Sequence, residues 1–154
     1  MSFALIGLIN TAVDYAFFLL ARSLLQHAPA ALGLFATFSA SCRCGRPDTI
    51  LLIAANMMSW IVAVSGSYVL NSSITFAAES GRKLSRRHYL TFVVSGIAGL
   101  IANTATLVFT AQVLGLSVWL AKAAAILASF VVNFSLSHFV VFRVRGADDT
   151  GEGA

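Results

Sequence analysis

The chain has 154 residues, of which 58% are hydrophobic and only 10% are charged. A soluble globular domain carries about 25% charged residues, so this composition is typical of an integral membrane protein. The formal net charge of +4 is modest and falls mostly in predicted loops, which argues against a nucleic-acid-binding surface. We expect one membrane domain over residues 1–146 and a disordered acidic tail over residues 147–154.

Four apolar segments follow one another along the chain. Each holds the roughly 20 residues that a helix needs to cross about 30 Å of hydrocarbon. They predict an all-α membrane protein with four transmembrane helices at about residues 3–25, 50–76, 90–114 and 118–142. The connection between the first two contains a further apolar stretch, residues 28–40, which is too short to span and which we expect to be interfacial or re-entrant.

Lys and Arg residues set the predicted orientation. The loop between the second and third helices and the stretch after the fourth carry six of them: Arg82, Lys83, Arg86, Arg87, Arg143 and Arg145. The first loop carries Arg43 and Arg46, and the third loop carries none. Because positive residues are retained on the cytoplasmic side, we expect both termini and the middle loop to lie in the cytoplasm.

A single carboxylate, Asp14, interrupts the first apolar segment. A centrally placed Asp costs about 2.5–3.5 kcal/mol on insertion scales, so Asp14 should face the protein interior, a cavity or a partner instead of lipid. This cost makes Asp14 the first candidate functional residue.

The two halves of the chain also resemble each other. An offset of 89 residues relates the first and third segments and an offset of 66 relates the second and fourth, which superposes the pairs Gly7/Gly96, Asp14/Asn103, Ser67/Asn133 and Asn71/Ser137. The offsets differ because the connection within the first pair of segments is longer. We therefore predict two helical hairpins related as parallel repeats about an axis along the membrane normal, with a site near their interface.

Small and polar residues form a stripe along each predicted helix. The stripes are Gly7, Asn10 and Asp14; Asn56, Ala63, Ser67 and Asn71; Gly96, Gly99, Asn103, Thr106 and Thr110; and Lys122, Ser129, Asn133 and Ser137. For the Asn and Ser residues the simplest interpretation is helix packing, in which hydrogen bonds between membrane helices contribute about 0.6 kcal/mol each. A gain of that size does not offset the insertion cost of Asp14.

Lys122 lies about one turn inside the fourth predicted helix, at the end opposite the cytoplasm. We expect its long side chain to snorkel to the lipid headgroups. Two alternatives remain open: a pair with Asp14, or contact with an anionic headgroup from the outer side.

The sequence contains no pattern typical of catalysis or of a metal site. Cys42, Cys44 and His27 fall short of the four ligands that a structural zinc site takes. A Gly-rich phosphate loop and a Ser/His/Asp arrangement are also missing. We expect a protein that is not an enzyme and that needs no cofactor.

Two motifs carry a resemblance to a known family. The first is Phe-x-x-x-Gly-x-x-Asn-x-x-x-Asp, formed by Phe3, Gly7, Asn10 and Asp14. The second is Asn-Phe-Ser-Leu-Ser-His-Phe-Val-Val-Phe-Arg, from Asn133 to Arg143, with a weaker echo from Ser67 to Phe76. Together they resemble the GtrA-like family of small four-helix membrane proteins, over about residues 3–143.

The resemblance implies a multi-pass protein of the cytoplasmic (inner) membrane that takes part in cell-surface polysaccharide synthesis. Members of the family are thought to move polyprenyl-phosphate-linked monosaccharides across the membrane, or to assist the glycosyltransferases that make them. Four short helices enclose little volume, so a homodimer or a glycosyltransferase partner is expected to complete the cavity.

On this hypothesis polar side chains of the stripes bind the sugar and basic side chains meet the phosphate at the cytoplasmic face. The predicted sugar-binding residues are Asn10, Asp14, Asn71, Asn103, Asn133 and His138, and the predicted phosphate-binding residues are Arg82, Lys83, Arg86, Arg87 and Arg143. Two other functions remain open: a non-transporting anchor for a glycosyltransferase, and a small proton-coupled exporter whose first helix exchanges protons at Asp14.

Overall fold

The computed structural model describes residues 3–43, 45–75 and 85–136, and all regular secondary structure in these ranges is helical. Five α-helices follow in chain order: α1 (Phe3–Gln26), α2 (Pro29–Cys42), α3 (Pro47–Leu70), α4 (Arg86–Val108) and α5 (Val118–Leu136). Short π-helical turns, Asn71–Thr75 and Phe109–Val113, extend α3 and α4.

Three of these helices, with their π-helical turns, are long and apolar enough to cross a membrane: Leu5–Gln26, Pro47–Ile74 and Arg86–Val113. The apolar part of α5, Val118–Asn133, is shorter, and residues 137–142 of its predicted span lie outside the described residues. The all-helical prediction agrees with this structure, whereas a fourth span and the orientation of the termini stay predictions.

The segment predicted to be interfacial or re-entrant forms the separate helix α2. Its 14 residues are about 21 Å long, which is shorter than the hydrocarbon layer. Proline stands at the start of both α2 and α3, where its missing N–H leaves no hydrogen bond unmade. Arg43 and Gly45 then take positive φ values of 50° and 113°, which turns the chain from α2 into α3.

The helices pack mainly as two pairs, α1 with α3 and α4 with α5, while α2 lies mainly against α3. Gly115, with a φ of 66°, allows the short connection between α4 and α5 that the sequence predicts. The α3–α4 contact includes a double hydrogen bond, in which the Tyr68 hydroxyl accepts from the Ser85 N–H (3.0 Å) and donates to the Ser85 carbonyl (2.9 Å). This pair of bonds fixes the start of α4 against α3.

An apolar cluster occupies one half of the bundle. Its buried members come from all four long helices: Phe18, Ala21, Leu52, Ala55, Leu107, Ala121 and Ala125. The alanines let the helix backbones approach closely, and Phe18 and Leu107 fill the space between them. The other half of the bundle contains the cavity described below.

Replacement of Phe18 tests how much this apolar cluster stabilises the protein. Phe18 is fully buried, whereas its neighbour Phe17 is 42% exposed on the outer surface. We expect Phe18→Ala to lower the free energy of unfolding by about 3 kcal/mol, the lower end for buried Phe-to-Ala changes, because lipid supplies no hydrophobic driving force. Thermal unfolding in detergent measures this effect. Phe17→Ala is the matched control. An equal effect of both variants would contradict the placement of Phe18 in the buried apolar cluster.

Candidate functional site

A cavity of about 720 Å³ lies between the four long helices. Its lining consists of Asn10, Thr11 and Asp14 of α1; Trp60, Ala63, Val64 and Ser67 of α3; Phe92, Ser95, Gly96, Gly99 and Asn103 of α4; and Ile126, Ser129, Phe130 and Asn133 of α5. The lining comes from the first half of α1, the second halves of α3 and α5, and the part of α4 between Phe92 and Asn103.

Four of the predicted sugar-binding residues lie together in this cavity: Asn10, Asp14, Asn103 and Asn133. Asn71 is not among the lining residues. It is buried one turn beyond Ser67, and its Nδ2 donates to the Ser67 hydroxyl at 3.2 Å. His138 lies outside the described residues.

The lining follows the internal repeat of the sequence. The offsets of 89 and 66 residues relate most of the lining positions in pairs: Asn10/Gly99, Asp14/Asn103, Trp60/Ile126, Ala63/Ser129, Val64/Phe130 and Ser67/Asn133. Each pair takes one residue from α1 or α3 and one from α4 or α5. The cavity is therefore built from equivalent positions of the two halves of the chain, with different side chains at each.

An ion pair lies at the inner end of the cavity. The Lys122 ammonium is 2.7 Å from Oδ2 of Asp14, and the lysine is fully buried. The ammonium also lies 4.9 Å from the centre of the Phe18 ring, a favourable position for a cation. The expectation that Lys122 snorkels outward is therefore wrong, because its side chain points into the bundle, where a carboxylate neutralises it.

Two polar side chains bond directly to this ion pair, and a third bonds to one of these two. Lys122 donates to Oδ1 of Asn56 at 2.7 Å, and Nδ2 of Asn56 donates to the Thr104 hydroxyl at 2.9 Å. The Ser59 hydroxyl donates to Oδ1 of Asp14 at 2.7 Å. All four long helices thus contribute one or two residues to one polar network between the cavity and the apolar cluster.

The predicted stripe of α3 includes Asn56, and Ser59 falls on the same face, three residues after Asn56 and four before Ala63, although it was not included. Thr104 follows Asn103 and lies off the predicted stripe of α4. The repeat also links Asn56 to the ion pair, because the offset of 66 residues that relates α3 to α5 superposes Asn56 on Lys122. The repeat therefore relates Asp14 and Lys122 to Asn103 and Asn56. The first two form an ion pair, whereas the Asn56 side chain bonds to Lys122 and Thr104.

Asn103 contributes an acceptor that the protein leaves unused. It is only 7% exposed, and its Oδ1 atom has no hydrogen-bond partner although the side chain lines the cavity. A buried carbonyl without a partner costs about 1–3 kcal/mol.

Asn133 approaches the cavity over a glycine. A Cβ atom added to Gly99 would lie 2.5 Å from Nδ2 and 2.6 Å from Oδ1 of Asn133, far inside contact distance. The repeat relates Gly99 to Asn10 and Asn133 to Ser67. In the first half of the chain the larger side chain therefore lies on α1 and the smaller one on α3. Gly99 therefore provides the space for the Asn133 amide.

The predicted phosphate-binding residues are described only in part. Arg86 and Arg87 are exposed in the first turn of α4, about 9 Å along the helix from the cavity residue Phe92. Arg82, Lys83 and Arg143 lie outside the described residues. No group of three or more His, Cys, Asp or Glu side chains that could hold a metal ion occurs in the ranges the structure describes.

Residues 48–142 match the family described as GtrA/DPMS, transmembrane domain. The matched range covers more than half of the chain and includes α3, α4 and α5. The chain belongs to the GtrA/DPMS family. Proteins of this family are generally non-catalytic, and membership connects the chain with membrane functions of polyprenyl-phosphate sugars.

The GtrA/DPMS match begins at Asp48 and so does not include α1, although the resemblance seen in the sequence starts at Phe3. The helix that carries Asn10 and Asp14 is separated from the matched range by the long connection that contains α2. Searches of curated proteins and of solved structures gave no match to the chain.

Neutralising one member of the ion pair should destabilise the protein more than neutralising both. Loss of one partner from a buried pair leaves an uncompensated charge and costs about 3–5 kcal/mol, whereas loss of both is often close to neutral. We expect Asp14→Asn and Lys122→Met each to lower the free energy of unfolding in detergent by more than the double variant does. Additive losses would mean that the two charges do not interact.

Proposed function

We propose that this GtrA/DPMS protein translocates a polyprenyl-phosphate-linked monosaccharide across the cytoplasmic membrane during cell-surface polysaccharide synthesis. The observation that carries the proposal is the cavity between the two halves of the chain, lined by amides and hydroxyls inside a protein whose outer surface is apolar. A sugar cannot cross hydrocarbon without hydrogen-bond partners, because unpaired polar groups are costly in lipid.

The size and chemistry of the cavity support a sugar as the ligand. Its volume of about 720 Å³ falls within the roughly 300–1,000 Å³ that is typical of small-molecule sites. Asn103 and Asn133 offer amide groups that both donate and accept, as a sugar hydroxyl does. Trp60, Phe92 and Phe130 add aromatic surface against which the apolar faces of a sugar ring can pack.

The phosphate and the lipid would remain outside the cavity. Arg86 and Arg87 stand exposed at the same end of the bundle as the cavity residues Ser67 and Asn133, where a phosphate at the membrane surface can pair with a guanidinium. The prenyl chain would stay in the hydrocarbon. With the predicted orientation, this end faces the cytoplasm, where lipid-linked sugars would enter.

Translocation then requires the opposite half of the bundle to open, since the ion pair and the apolar cluster close it. The helices pack as α1 with α3 and α4 with α5, so movement of one pair against the other would expose the cavity to the second side. A second copy of the chain or a glycosyltransferase would cover part of the exposed apolar surface during this movement.

Reconstitution tests the proposal. Proteoliposomes that contain the protein should move a short-chain polyprenyl-phosphate sugar between leaflets, and Asn103→Ala should reduce the rate about tenfold, since the loss of one hydrogen-bond partner is worth roughly 1.4 kcal/mol. Gln112→Ala is the matched control, because this amide belongs to α4's π-helical turn and does not line the cavity.

The other functions make different predictions in the same assay. A scaffold for a glycosyltransferase would leave the lipid-linked sugar in its original leaflet while still binding the enzyme. A proton-coupled exporter would take up a soluble cation in response to a pH gradient and lose that activity in Asp14→Asn. Either result without movement of the lipid-linked sugar would exclude the proposed function.

Gly99 provides a second test of the same site. Gly99→Ala should push the Asn133 amide out of place and lower the translocation rate severalfold, while the fold tolerates a shift at the end of a side chain. Gly66→Ala is its control, because a Cβ atom there meets nothing within 4 Å. Equal rates for the two variants would show that Asn133 does not act in the cavity.

A further inference from the structure

The charge inside the cavity is balanced. Among the lining residues in the described part of the chain, Asp14 is the one with an ionisable side chain, and its Oδ2 atom already lies 2.7 Å from the Lys122 ammonium. The remaining polar lining consists of neutral amides and hydroxyls. A ligand in the cavity therefore meets hydrogen-bonding groups but no free charge.

We propose that the cavity selects uncharged sugars and rejects sugars that carry an ammonium or a carboxylate group. This inference rests on the proposed function and names the substrate class of the same site. An ionised group brought into the cavity would lose its hydration and find no opposite charge, because each charge of the ion pair is occupied by the other. Hydroxyl and N-acyl groups face no such penalty, since amides and hydroxyls satisfy them.

The hydrogen-bond inventory supports the same class of ligand. Both oxygens of Asp14 already accept bonds, from Lys122 and from Ser59. The other polar side chains of the lining are the amides of Asn10, Asn103 and Asn133 and the hydroxyls of Thr11, Ser67, Ser95 and Ser129. Such amides and hydroxyls form hydrogen bonds with the neutral hydroxyl and N-acyl groups of a sugar, whereas they cannot compensate the full charge of an ammonium or a carboxylate group.

The ion pair makes this selectivity adjustable. Lys122→Met would leave Asp14 at the end of the cavity without its counter-charge, and Asp14→Asn would do the same to Lys122, so a sugar that brings the missing charge can restore the pair. The first change should favour a sugar with an ammonium group, and the second a sugar with a carboxylate group. The two changes combined restore a cavity without net charge.

Competition between three lipid-linked sugars measures the selectivity. Proteoliposomes are loaded with short-chain polyprenyl phosphates that carry a neutral hexose, a hexosamine with a free amine, or a hexuronic acid. We expect the wild type to favour the hexose over both charged sugars at least tenfold. We expect Lys122→Met to shift the ratio towards the hexosamine, Asp14→Asn to shift it towards the hexuronic acid, and the double variant to return to the wild-type preference.

The possible failures are distinguishable. Equal translocation of all three sugars by the wild type would overturn the selectivity and leave the proposed function intact, whereas translocation of none would overturn the proposed function. The wild-type ratio decides the inference even where a single variant does not fold. In variants whose unfolding curves show that they do fold, an unchanged ratio would mean that the ion pair does not set the charge of the cavity.

Discussion

The ion pair between Asp14 and Lys122 is the interaction on which the remaining structure depends. It joins the first helix to the last and lies where a polar cavity meets an apolar cluster. Neither charge is tolerable alone in a membrane-spanning bundle, so each side chain requires the other within a few ångströms. Asn56, Ser59 and Thr104 supply hydrogen bonds from the two remaining long helices, which fixes the relative position of all four.

The repeat explains why a cavity forms between the two halves of the chain. Equivalent positions of the two halves line it, but the side chains differ: Asn10 corresponds to Gly99, and Ser67 corresponds to Asn133. A strictly repeated sequence would place two large amides or two small residues at these points. The exchange keeps enough space for a ligand while retaining hydrogen-bonding groups on both sides. Divergence between the halves thus produces an asymmetric site from a repeated framework.

Much of the candidate site was predictable because membrane helices have a simple periodicity. Asn10, Asp14, Asn103 and Asn133 fall on polar stripes, and the structure brings these four together in one cavity. Ser59 was missed although its spacing from Asn56 and Ala63 places it on the predicted stripe of α3. Thr104 was missed because it lies off the stripe of α4, where a lone hydroxyl gives no signal until a partner is known. Asn71 continues the stripe of α3, yet its amide bonds back to Ser67, at the point where the helix passes into a π-helical turn.

By itself the sequence determined the membrane character, the positions of the helices and the internal repeat, because these follow from hydrophobicity and spacing along one chain. It also identified Asp14 as a charge that needs a partner. Only the tertiary structure decided which partner that is. Lys122 is near enough to a helix end to snorkel, and whether it turns outward or inward depends on the rotation of α5 and its distance from α1. Those quantities are set by packing between helices far apart in the chain, which no local pattern encodes.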